Sequence, residues 1–181
     1  MLSGPTRFYE PQAFSRYIAR HAIAWLPRGG TLIDLGCGTG YIAIDVADMD
    51  WDARVIGLDI DPQALTVAQT AARNMEVKVE FLLSDVFGAL RASEQADVIT
   101  CTVPWESPAA YDEEPSPRAA YIDDSNVYTR ALVGAHRHLK DSGVFIALGS
   151  VGFDSVFASA GWVVGARFRD TDGTAIYLAA R

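Results

Sequence analysis

The chain's chemistry is concentrated in Asp34-Leu35-Gly36-Cys37-Gly38-Thr39-Gly40, which follows the apolar run Thr31-Leu32-Ile33. The spacing predicts a buried strand that ends in a glycine-rich turn. Three alternate glycines let the backbone turn sharply and let a ligand approach where a Cβ would collide. Tyr41 to Ala47 can then open a helix whose free N–H groups face that ligand. The glycines run G-x-G-x-G, unlike the G-x-G-x-x-G fingerprint that seats a dinucleotide pyrophosphate. Asp34, an anion two residues before the first glycine, would repel a pyrophosphate but suits a ligand with an ammonium and a sulfonium. S-adenosylmethionine (SAM) carries both.

Two further acids fall at matching places. Val55-Ile56-Gly57-Leu58 reads as a second buried strand ending at Asp59, close to the ~20-residue offset at which an acid meets ribose hydroxyls in nucleoside-binding α/β folds. A third strand, Val77 to Leu83, leads into Ser84-Asp85-Val86. There a carboxylate can accept the adenine amino group, and the Val86 N–H can donate to a ring nitrogen. A fourth strand, Ala96 to Cys101, ends beside the glycine turn and runs into Thr102-Val103-Pro104-Trp105-Glu106 and a polar stretch to Asp124. Asp61, before Pro62, is expected to cap a helix.

These residues need a scaffold, and the pattern supplies one. A helix is expected over about residues 10 to 26, then strand 31–35, helix 41–48, strand 54–59, helix 62–73, strand 77–83, short helix 86–92, strand 96–101, helix 125–139, strand 143–149 and helix 153–160. Such βα alternation implies an α/β fold with a parallel sheet and right-handed crossovers. Val163 to Phe168 and Ala175 to Ala180 flank Arg169-Asp170-Thr171-Asp172-Gly173, a hairpin signal that places an antiparallel strand at the end of the sheet.

At 181 residues the whole chain, 1–181, is expected to form one domain. Its 23 acids against 15 bases, net charge −8, argue against a nucleic-acid substrate. No apolar run reaches a membrane span and no secretory core is evident, so a cytoplasmic location is the default expectation. Cys37 and Cys101 lack zinc-site spacing, and no metal is expected; both read as reduced, buried thiols.

With these residues in view, the chain resembles the class I SAM-dependent methyltransferases. Within that class it is most similar to the release-factor glutamine N-methyltransferase family and its small relatives. The resemblance is carried by Ile33 to Ala43, Gly57-Leu58-Asp59-Ile60, Asp85-Val86-Phe87, the Asp97 to Trp105 strand and loop, Glu114-Pro115 with Arg118-Ala119-Ala120, and Leu139 to Gly143. It implies a Rossmann-like fold: a seven-stranded, mostly parallel sheet, an antiparallel C-terminal hairpin strand and helices on both faces. It also implies a lid helix at about 8–26, a substrate loop at about 102–124, and a monomer or homodimer.

The cofactor residues so implied are Asp34, Gly36, Cys37, Gly38, Gly40, Tyr41, Asp59, Ile60, Asp85, Val86 and Thr102. The family's Asn-Pro-Pro-Tyr motif stands here as Thr102-Val103-Pro104-Trp105. Thr102 thus offers one hydroxyl where the Asn offers a planar amide. Thr102, Trp105 and Glu106 are the expected catalytic residues, with Glu106 taking a hydrogen bond or proton from the nucleophile. Tyr9, Pro104, Trp105, Tyr111 and Tyr121 are expected to line the substrate. The acids and tyrosines of the loop suit a cationic amine. The implied activity is methyl transfer to a nitrogen of a small amine, an amino-acid-like molecule or a peptide. Aminocarboxypropyl transfer, cyclisation of SAM, or a SAM-binding module serving a partner subunit remain as alternatives.

Overall fold

The structure, a computed structural model, describes residues 13–50, 52–105, 126–169 and 174–181. Among the described residues, five helices and seven strands follow in the order α1 (Ala13–Trp25), β1 (Thr31–Leu35), α2 (Tyr41–Met49), β2 (Arg54–Asp59), α3 (Pro62–Asn74), β3 (Glu80–Leu83), β4 (Ala96–Cys101), α4 (Val127–His138), β5 (Leu139–Ser150), α5 (Asp154–Ser159), β6 (Val163–Arg169) and β7 (Thr174–Ala180). All seven strands join one sheet in the order β3-β2-β1-β4-β5-β7-β6. The first five are parallel; β7 pairs antiparallel with both β5 and β6. The expected C-terminal hairpin is therefore present.

The order in which strands are added reverses between β1 and β4. From β1 the chain steps outward through α2, β2 and α3 to β3, then returns to β4 and steps the other way through α4 to β5. Right-handed crossovers in opposite directions put α2 and α3 on one face and α4 on the other. The crevice at such a switch point, at the carboxyl ends of the strands, is where open α/β sheets bind ligands. The glycine turn after β1 lies there.

β1, β2 and β4 are covered on both sides. Leu32, Ile33, Ile56, Leu58, Val98 and Ile99 are fully buried, which accounts for unbroken apolar runs in place of alternation. Ile18, Ala19 and Ala22 of α1 join this core, and α1 packs on α2. The cap of α3 is the expected one: Asp61 accepts the Gln63 N–H at 2.8 Å, with Pro62 in the first turn.

Three local expectations differ. β3 begins at Glu80, not Val77. β5 starts at Leu139, directly from α4, because Leu139 pairs with Ala96 before a register shift carries the ladder on to Val98–Val144. Residues 86–92 form turns and not a short helix. Here the buried Ser84 hydroxyl, which donates to the Val86 carbonyl and accepts the Ala89 N–H, takes groups that a helical ladder would need.

Candidate functional site

The turn between β1 and α2 is held by backbone bonds. The Gly36 and Cys37 N–H groups both donate to the Leu58 carbonyl, at 2.8 and 3.0 Å, and the Gly40 N–H donates to the Cys37 carbonyl at 2.8 Å. Gly40 has φ +87, and a Cβ there would lie 2.9 Å from both Ala68 Cβ and Phe81 Cζ. Gly38 has φ +53 and nothing within 4 Å of where its Cβ would stand. The turn is thus packed from behind at Gly40 and open in front at Gly38. An added side chain would occupy that open space, so the turn fits the cofactor expected from the sequence.

Asp59 closes the turn from the tip of β2. Its Oδ2 accepts the Gly38 N–H at 2.7 Å and its Oδ1 accepts the Asp61 N–H at 2.9 Å. A carboxylate offers about four lone-pair sites, so both oxygens keep acceptor capacity for a diol. Burial raises its pKa above the ordinary carboxylate value despite these bonds.

Asp34, expected beside the ligand's ammonium, is a buried carboxyl. It sits inside β1, opposite Gly57 and Thr100, and is fully enclosed. Oδ1 accepts the Thr100 hydroxyl at 2.8 Å, while Oδ2 has no hydrogen-bond partner among the described residues. Burial pushes its pKa up to about 7.

Thr102 is tied to the turn from β4: its hydroxyl donates to the Gly36 carbonyl at 2.9 Å, and its N–H donates to the Leu35 carbonyl at 3.0 Å. The hydroxyl proton is used, which leaves the oxygen as an acceptor. Val103 packs against Gly36, and Pro104 is half-buried. Trp105, expected to offer a flat face to a substrate, is only 9% exposed and belongs to the hydrophobic core. Ile60 is largely exposed, and the Tyr41 hydroxyl accepts a bond from Arg16 Nε at 3.1 Å.

Asp85 is half-exposed and accepts a bond from Arg130 Nη2 of α4 at 2.6 Å. Val86 beside it has φ +51. Tyr9, Glu106, Tyr111 and Tyr121 lie outside the described residues. Burial raises the thiols of Cys37 and Cys101, the latter to about 12, so neither provides a thiolate at neutral pH. A separate cleft of about 690 Å³, lined by Arg54, Arg73, Lys78 and Glu80 among others, lies at the opposite end of the strands and includes none of the expected site residues.

Sequence reasoning missed Thr100 and Arg130. A polar residue inside the apolar run Val98-Ile99-Thr100-Cys101 is a usable signal for the first, because the strand over 96–101 is expected beside the glycine turn. No local pattern marks Arg130.

A methyltransferase-domain family model matches residues 26–159, from the end of α1 through α5. The chain belongs to the methyltransferase-domain family. Its cofactor is SAM. The release factor glutamine methyltransferase of Rhodopirellula baltica is 32% identical over 127 residues, covering 64% of this chain and 43% of that protein. This methyltransferase domain spans less than half the length of the curated relatives it matches first.

Solved structures share its fold. A ribosomal protein L11 methylase from Lactobacillus delbrueckii subsp. bulgaricus has TM-score 0.72 at 13% identity, over 97% of this chain and 82% of that one. A Thermus thermophilus 16S rRNA methyltransferase, solved with AdoMet and guanosine, has TM-score 0.74 at 21% identity, over 95% of this chain and 44% of that one.

Proposed function

We propose that this domain transfers the methyl group of SAM to a nitrogen of a peptide or of a small amine. The observation that carries the reading is the open face of the turn at Gly38, braced by the Asp59 carboxylate at the β1/β4 switch point. SAM supplies an electrophilic methyl carbon, so the protein's work is orientation and exclusion of water. Asp59 takes the ribose hydroxyls, the Asp85 carboxylate and Val86 N–H take the adenine edge, and the backbone of Gly36 to Gly40 borders the amino-acid arm. Asp34, enclosed behind the turn, adds its field to the site of the ammonium.

Thr102 brings the end of β4 against the turn, so the loop that follows starts where the methyl group must be presented. Its hydroxyl oxygen is an acceptor for an N–H of the nucleophile. Pro104 stiffens the exit and Glu106 receives a proton as the nitrogen is alkylated. Trp105, packed into the core, anchors that loop. α1 would serve as the lid helix, and its Arg16 reaches Tyr41 in the first turn of α2. The kinship with release-factor glutamine methyltransferases supports a peptide nitrogen as acceptor.

Incubation with SAM and candidate peptides or amines tests the reading through its by-product. Methyl transfer leaves S-adenosylhomocysteine and adds one methyl mass to the acceptor. Methylthioadenosine in its place would move the assignment to aminocarboxypropyl chemistry.

A further inference from the structure

Val86 is the one β-branched residue among the described non-glycine residues with positive φ, a conformation that strongly disfavours such side chains. Backbone strain of this kind persists only where the surroundings over-determine it. They do so here. Ser84 is buried; its hydroxyl donates to the Val86 carbonyl at 2.8 Å and accepts the Ala89 N–H at 3.1 Å. Its N–H donates to the Asp59 carbonyl at 2.8 Å, which ties this turn to the tip of β2, and the Gly88 N–H closes on the Asp85 carbonyl at 3.0 Å.

The backbone is fixed, but the Asp85 side chain is 57% exposed and would be free to swing. Arg130 restrains it. One Nη2–Oδ2 bond of 2.6 Å holds one carboxylate oxygen from the first turn of α4, and Oδ1 accepts no bond from the described residues.

We infer that Arg130 is a positioning residue for base recognition: by holding Asp85 Oδ2 it fixes Oδ1 as an acceptor that favours an amino group over a keto group at purine C6. The inference rests on the cofactor reading above. A carboxylate free to rotate can turn away from a keto oxygen and lose little. A carboxylate held in place cannot, and it meets that oxygen as an acceptor facing an acceptor. Discrimination between the bases therefore depends on Arg130, although Arg130 itself need not touch the ligand.

Calorimetric titration with S-adenosylhomocysteine and its inosine counterpart tests this, on the wild type, Arg130→Met and Arg130→Lys. Arg130 is 43% exposed on a helix surface, where methionine keeps the stem and the helix propensity. The wild type is expected to prefer the adenosine ligand by about tenfold or more, the worth of one charge-assisted hydrogen bond. Arg130→Met should lose most of that preference, mainly by binding the inosine ligand relatively better. Arg130→Lys should retain it, because the observed bond is single and a lysine can make it.

An unchanged preference in a folded Arg130→Met protein overturns the inference. So does an equal loss of affinity for both ligands, which would mark Arg130 as merely structural. A wild type that binds neither ligand overturns the cofactor reading, and this inference with it.

Discussion

Replacing Asp34 by asparagine removes a titrating carboxyl from the interior while keeping the shape and the acceptor for Thr100. In the folded chain its pKa is pushed up to about 7, chiefly by burial, from an ordinary value of 3.8. The groups around it are the Thr100 hydroxyl, the Ala43 backbone and the Asp59 carboxylate, none of them a cation. Between those two pKa values the folded state holds a proton that the unfolded state has released. Stability contributed by neutral Asp34 is therefore fully present below 3.8 and is lost as pH rises through 7. The slope approaches about −1.4 kcal/mol per pH unit in that window. Integrated from pH 5 to pH 8, the wild type should lose about 2.5 kcal/mol that the Asn variant does not lose. Asp59, also raised by burial, adds a slope of the same sign that largely cancels in the comparison because both proteins keep it. Urea unfolding at half-unit steps of pH reads the effect as a widening gap in midpoint with the m-value unchanged. Parallel curves for the two proteins would refute the reasoning and mean that Asp34 keeps an ordinary pKa.

Gly38→Val should leave the fold in place at a cost of about 1–2 kcal/mol for the left-handed backbone, and should abolish SAM binding by calorimetry. Asp59→Ala removes the acceptor for the Gly38 and Asp61 N–H groups as well as for the ribose; SAM affinity should fall by about tenfold or more, and a value close to the parent would place the ribose elsewhere. Trp105→Ala should lower the urea midpoint by the equivalent of about 3–5 kcal/mol, as expected for a core aromatic and not for a substrate face. Glu106→Gln should leave SAM affinity unchanged and lower turnover in a pH-dependent way.

The sequence made legible those features whose physics is local. Gly36, Gly38 and Gly40 lie within five residues, and each takes a backbone conformation that side chains disfavour, so the spacing alone announces a turn. Asp59 ends an apolar run that can only be a buried strand, and Asp61-Pro62 caps the next helix by chemistry confined to three residues. What stayed hidden depends on partners distant in the chain. Thr100 meets Asp34 across 66 positions, and Arg130 meets Asp85 across 45. No periodicity encodes either pair; each exists because the strand order switches between β1 and β4, which sets β4 beside β1 and brings α4 to the β3 loop. The same cause changes the meaning of single residues. Asp34 reads as a strand-tip anion, yet flanking strands on both sides and α2 above enclose it and raise its pKa. Trp105 reads as an exposed loop aromatic, yet the ring is buried and joins the hydrophobic core. The expected helix at 86–92 fails for a smaller reason of the same type, since one buried hydroxyl at Ser84 competes with the helical ladder for its hydrogen bonds. In each case the residue was visible in the sequence, and its role was set by the neighbour that the topology supplied.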